Sequence, residues 1–384
     1  MSGDPARASG YRPGVFMTVV TRGAAHAYRL LDVGYSISLD AALDLLASSA
    51  PERVRPVRGE AAALQIANPP VSVILGGERV TVAGSAFDAE VSARIFDFGV
   101  VSLCLRLQAP RALSWDDFAA FGSAIDADTG IPQLLEHHAQ LLFRRITPAI
   151  ERPSLAPVRE DYVVFRLHEV CGEDGARLAS EVLLQRVDVA PLLLNERKPL
   201  SPRTRDDLLQ HRFSYHTDDL ALLTWDNALV LDPADGVTDV EFILEFANAQ
   251  LLELRYYDAI LDAELPKLYD RIEAARGSRL RLFSRRFSNL LGDMQRLFAD
   301  SNELVERAEN AIKVTDDMYL ARIYSAALEI FRGRAWRAGV DRKLTLVRDT
   351  YEMLNAEAQA ARAEALEVAI VVLIVAEIVM AMVR

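Results

Sequence analysis

The sequence predicts an α+β protein: a mixed α/β N-terminal region, then an extended antiparallel helical, coiled-coil-like region, then a C-terminal transmembrane helix. Three observations carry this reading. Up to residue 237, short β-branched runs alternate with helically spaced stretches and are punctuated by glycine and proline. From Thr238 onward apolar residues recur at alternating spacings of four and three, the period of a helix facing another helix. Residues 365–383 (ALEVAIVVLIVAEIVMAMV) form an apolar run whose charges are Glu367 and Glu377. As a helix this run would be about 28 Å long, close to the roughly 30 Å hydrocarbon core of a bilayer. The implied organisation is a flexible leader over 1–14, α/β units over 15–152 and 153–237, helices over 238–364 and an anchor over 365–383.

The composition bounds the function. The 384 residues are 51% hydrophobic and 26% charged, which is globular and enough for two or three cores. A formal net charge of −12 disfavours DNA as a partner, because phosphates would be repelled overall. Cys104 and Cys171 stand isolated, so neither a disulfide framework nor a zinc site is expected, and a reducing compartment fits. The N-terminal MSGDPARASGYRPG lacks the apolar core of a secretory signal.

In chain order, residues 15–21 (VFMTVVT) read as a buried strand between Gly14 and Gly23. Residues 39–47 have helical spacing, with Ser38 as N-cap. Strands over 71–75 and 79–83 follow, joined by a hairpin turn at Gly76-Gly77-Glu78. Residues 94–107 (RIFDFGVVSLCLRL) are the clearest extended run, and a helix begins near Ser114 with Asp116 and Asp117 in its first turn. Pro153 and Pro157 mark a linker. Beyond it come a strand over 162–168, helical stretches near 178–186 and 202–210, and an extended pair over 220–225 and 228–231 turning at Asp226-Asn227. Two separate α/β pieces, or one mixed sheet assembled from both, fit this pattern.

Ile243, Ala247, Gln250, Leu254, Tyr257, Leu261, Leu265, Leu268 and Ile272 make the seam of the first long helix. Pro266 should kink it and Gly277-Ser278 should end it. Further helices fit 280–298 and 301–331. The last begins near Val340, and its stripe of Leu344, Val347, Tyr351, Leu354, Ala358, Ala361, Ala365 and Val368 runs into the apolar tail. One helix from there to the C-terminus would be about 67 Å long, part stalk and part anchor. Leu366, Val368, Ile370, Leu373, Ile374, Glu377 and Ile378 are the candidate anchor residues, and Glu377 is costly in lipid unless partnered or protonated.

The stretches LALLTWDNALVLDP (220–233) and DVEFILEFANAQLLELRYYDAILD (239–262), with the apolar end, resemble a bacterial-type member of the required-for-meiotic-nuclear-division family. IFDFGVVSLCLRL (95–107) is similar to that family's glycine-containing strand motif, so the resemblance runs from about residue 90 to the end. It implies a membrane protein that supports translation by holding ribosomes near the membrane, with no catalytic residue set. It also implies a bacterial inner-membrane location with the body in the cytoplasm, or, in a eukaryote, the matrix side of the mitochondrial inner membrane.

Residues 266–350 are locally basic, with seventeen Lys and Arg against twelve Asp and Glu. Arg276, Arg279, Arg281, Arg285 and Arg286, among Leu280, Leu282, Phe283 and Phe287, form a candidate patch for anionic lipid headgroups or RNA. A second cluster is Arg332, Arg334, Arg337, Arg342 and Lys343 around Trp336. The plainer reading of both is a solvated helix face with ordinary ion pairs. His137-His138 point to different helix faces, and His168, His211 and His216 have no ligand partners at recognised spacing, so no metal is expected. Glu245, Glu253, Arg255, Asp258 and Asp262 read as the charged side of the seam, with Arg255 and Asp258 a surface pair. No phosphate loop, dinucleotide fingerprint or nucleophile elbow occurs, so neither cofactor nor catalytic residue is expected.

The function that follows is a non-enzymatic, membrane-anchored scaffold, homo-oligomeric through its helical seams and holding a ribosome or other protein partner at the bilayer. One alternative is an enzyme with a pocket in the α/β region, which a deep polar cleft with converging ionisable groups would favour. The other is a soluble coiled-coil oligomer.

Overall fold

The computed structural model describes residues 17–53, 65–66, 68–196, 198–276, 292, 294–295, 299, 312–313 and 318–383. The chain divides into two units, Met1–Leu252 with Ile312–Phe331, and Glu253–Ala311 with Arg332–Arg384.

One ten-stranded sheet organises the first unit. Its main strands are β1 (Val19–Asp32), β2 (Val71–Val82), β3 (Ser85–Ile95), β4 (Val100–Gln108), β5 (Arg159–Cys171), β6 (Leu220–Leu223) and β7 (Asn227–Leu231). In space they run β6-β7-β5-β1-β4-β3-β2. Arg212–Phe213 adds to β6, Glu52–Arg53 to β2 and Leu113–Ser114 to β1. The pairings are antiparallel except that of β5 with β7. Residues 15–152 and 153–237 thus contribute to the same sheet, with β1 bonded directly to β5.

Three expectations about strands are revised. The strand expected over 15–21 runs on to Asp32; its alanines and charged residues hide a clean alternation of faces. The segment Gly76-Gly77-Glu78 does not turn the chain. It lies within β2, beside a register shift between Ile74 and Gly76 that marks a bulge. The turn comes instead at Ala83 and Gly84, both at positive φ, as a two-residue hairpin with right-handed strand twist requires. The run 94–107 is two strands, because the chain reverses through Phe96-Asp97-Phe98-Gly99. Gly99 has φ +96°, and a Cβ there would lie 1.9 Å from the Gly34 carbonyl oxygen, so the turn requires glycine.

Helices α1 (Leu39–Leu46), α2 (Trp115–Asp126) and α3 (Gly130–Ile146) cover one face of the sheet. Ser38 and Ser114 cap α1 and α2 by accepting from the Ala41 and Asp117 amides. Under them, Ala25, Ala27 and Leu31 of β1, Leu103, Leu105 and Leu107 of β4, and Phe165 and Leu167 of β5 join Phe118, Leu135 and Leu142 in an apolar core. Each fully buried Leu or Phe among these stabilises by about 1.5–3 kcal/mol. Helices α4 (Ser180–Arg186), α5 (Ala190–Leu193) and α6 (Pro202–Leu208) connect β5 to β6.

Three longer helices follow: α7 (Asp239–Arg276), α8 (Met318–Ile330) and α9 (Gly333–Val383). The Thr238 hydroxyl accepts from the Glu241 amide and starts α7, which continues through Pro266. The helix expected over 280–298, most of 301–317 and the break at Gly277-Ser278 lie outside the described residues, as does the leader over 1–14.

In the second unit, the later part of α7 meets the start of α9. The Arg255 guanidinium lies over the Trp336 ring at 5.9 Å, and Lys343 Nζ reaches Asp258 at 2.7 Å and Asp262 at 2.6 Å. Residue numbers climb together on the two helices, so these two run parallel here.

Candidate functional site

The second face of the sheet is polar. A strand sends alternate side chains to opposite faces, and here the residues between the core positions are His26 and Tyr28 on β1, Ser92 and Arg94 on β3, Ser102, Cys104 and Arg106 on β4, and Arg166 and His168 on β5. The register sets them in rows. Glu90 stands opposite Arg106, which stands opposite His26. The next row holds Ser92, Cys104, Tyr28 and Tyr162.

The first turns of α7 supply the opposing charges. Glu241 Oε1 lies 3.5 Å from both His26 Nδ1 and Arg166 Nη1, and the Arg166 and Glu241 side chains are 0% exposed. Arg166 Nη2 donates to the Asp232 and Ala234 carbonyls at 3.2 and 2.9 Å. One turn on, Glu245 pairs with Arg94, whose guanidinium also lies 4.9 Å from the Phe242 ring centre. Burying such groups without compensation would cost several kcal/mol each.

The local electrostatics follow from that packing. Burial pushes the Glu241 carboxyl up, but His26, Arg166 and Arg106 outweigh it and hold it below the usual glutamate range. Burial pushes the Cys104 thiol up to about 11, so it stays protonated at neutral pH and is a poor nucleophile. Burial, reinforced by Cys104 and Glu241, raises the Tyr28 hydroxyl well above its ordinary value. Burial and the Arg166 charge lower His168.

This face opens into a cleft of about 440 Å³ lined by His26, Asp88, Glu90, Arg106, His168 and Gly236, among others. On the other side of the sheet, Asp126, Asp128, Asp161 and Asp226 line a smaller cleft of about 280 Å³ near Tyr162. Among the described residues, no group of three or more His, Cys, Asp or Glu could hold a metal ion.

The residues singled out from sequence fare unevenly. Glu245 and Glu253 are 4% and 1% exposed, so they do not belong to a solvated charged side. Asp258 pairs with Lys343 rather than Arg255, and Arg337 pairs with Asp341, so part of the second basic cluster is spent within the fold. The patch Arg279, Arg281, Arg285 and Arg286 lies outside the described residues, as does the Arg276 side chain. His138 meets Glu78 at 3.0 Å, away from His26 and His168. In α9, the candidate anchor residues from Leu366 to Ile378, Glu377 included, are exposed. His26, Arg106, Arg166 and Glu241 escaped the sequence reading. The signal was a polar residue at every second position of otherwise apolar strands.

Residues 22–238 match the sequence model of a family described as the N-terminal domain of uncharacterized protein MJ0711. The chain belongs to that family. The matched segment contains His26, Glu90, Arg106, Arg166 and His168, and ends at Thr238, where α7 is capped. Uncharacterized protein MJ0711 from Methanocaldococcus jannaschii is 26% identical over 225 residues, covering 59% of this chain and 66% of that protein. No solved structure matches. These findings overturn the resemblance to the required-for-meiotic-nuclear-division family and its bacterial-type placement: the matched family is a different one, with an archaeal relative. The apolar tail and the strand motif that suggested it reflect composition and turn geometry, which unrelated chains share.

Proposed function

We propose that the chain is a membrane-anchored interaction protein in which residues 365–383 of α9 cross the bilayer and hold the remainder at its surface. The carrying observation is a helix with an eighteen-residue window of mean hydropathy 2.6, none of it buried by protein. Leu373 and Ile374 are 67% and 51% exposed. Leaving such side chains in water forgoes about 1.5–3 kcal/mol each, which hydrocarbon recovers. Glu377 has apolar residues one turn away on each side, Leu373, Ile374, Met380 and Ala381. A second copy of the helix would give its carboxyl a polar partner inside the bilayer, so the proposal includes self-association through this segment.

Flotation with phosphatidylcholine vesicles in high salt tests the anchor. The full-length chain should float, and the Leu373→Arg/Ile374→Arg variant should stay at the bottom. Equal behaviour of the two forms would refute insertion through this segment.

A further inference from the structure

We propose that the cleft on the polar face of the sheet binds a linear organic polycation of the polyamine type. The inference is independent of how the chain attaches to a membrane. At about 440 Å³ the cleft is within the usual small-molecule range. Its lining sets the carboxylates of Asp88 and Glu90 beside His168 and a single guanidinium. Arg106, the guanidinium in its wall, already gives Nη1 to Glu90 at 2.8 Å. Arg166 lies beneath, fully buried and turned to Glu241 and two carbonyls.

His168 is oriented as an acceptor. His168 turns Nδ1 to the Ala234 carbonyl at 3.2 Å. A carbonyl only accepts, so Nδ1 carries the proton and Nε2 keeps its lone pair. Burial and the neighbouring Arg166 favour this neutral form. His26, which also lines the cleft, has Nδ1 3.5 Å from Glu241. Asp88, on the rim, is exposed and makes no ion pair among the described residues, even with Arg79 opposite it on β2.

Spacing selects the ligand. His26 is in register with Val164, and His168 lies four residues further along β5, about 13 Å by strand rise. Among the described residues the cleft holds no group of three or more His, Cys, Asp or Glu that could bind a metal ion. A monocation satisfies one end of the cleft. An anion would face Asp88 and Glu90 in a chain of net charge −12. A flexible methylene chain with ammonium groups at both ends donates to His168 at one end and to Asp88 and Glu90 across the cleft.

The test is calorimetric titration of the purified full-length chain in neutral detergent with spermidine, with butylamine and inorganic phosphate as comparators. Spermidine should bind saturably and at least tenfold more tightly than butylamine, and phosphate should give no binding. Asp88→Asn and His168→Gln should each weaken spermidine at least fivefold. Asp44→Asn, the same charge change at an exposed site on α1, should leave it unchanged. Asp88 is exposed and its replacement isosteric, so this variant remains informative if His168→Gln fails to fold. Absence of saturable spermidine binding overturns the proposal. So does tighter binding of phosphate, or an Asp44→Asn loss equal to that of Asp88→Asn, which would mean diffuse attraction to an acidic chain.

Discussion

Replacing Arg166 by methionine should be among the most damaging substitutions in the sheet unit. Arg166 and Glu241 have no exposed side-chain surface, so the substitution leaves a carboxylate in the interior with His26 as its remaining close partner. Breaking a buried pair from one side typically costs about 3–5 kcal/mol. The Asp232 carbonyl also loses its Arg166 donor, at about 1 kcal/mol or more, whereas the Ala234 carbonyl keeps His168. In a unit of this size each kcal/mol moves the thermal midpoint by about 2–4 °C, so a drop of roughly 10 °C or more is expected. Urea unfolding of the full-length chain in neutral detergent, followed by circular dichroism, measures the loss. The double variant Arg166→Met/Glu241→Leu removes both charges and should recover most of it. A single variant within about 1 kcal/mol of the parent, or a double variant no better than the single, would refute this account of the network.

Three further outcomes follow from named residues. Burial raises the Glu241 carboxyl, but His26, Arg166 and Arg106 pull it below its ordinary 4.5. Its stabilisation is therefore complete above about pH 4.5 and is lost as pH falls through the lower folded value. Glu241→Gln should flatten the acid limb of a stability-against-pH curve. Burial raises Asp226, and burial plus the Asp226 charge raises Asp126, so their ionisation opposes folding as pH rises above the ordinary 3.8; Asp226→Asn should raise the urea midpoint at neutral pH and not at pH 3. Gly99→Ala must place a Cβ against the Gly34 carbonyl at positive φ, and should lower stability by at least about 2–3 kcal/mol in the same unfolding assay.

The sequence revealed what periodicity and composition encode. The apolar tail, the capped starts of α1 and α2, and a turn between β6 and β7 were readable because each depends on residues close in sequence, although that turn falls at Trp225-Asp226 and Asn227 already opens β7. The polar face was not. His26, Arg106 and Arg166 come from three strands and meet only through register, and Glu241 arrives from a helix whose seam pattern suggested that its acidic residues faced water. The length of β1 was masked because GAAHAYRLLD has weak strand propensity, while its burial on both faces decides the outcome. The Gly76-Gly77 pair reads as a turn but lies within β2 beside a bulge; a glycine pair between strand-like runs encodes both equally well.

The central claim is the anchor. Alkaline carbonate extraction of membranes from cells expressing the full-length chain tests it directly. The account predicts that the chain stays in the membrane pellet while Leu373→Arg/Ile374→Arg is released. Release of the full-length chain by carbonate would contradict it, and would make the exposed face of α9 a surface for protein rather than lipid.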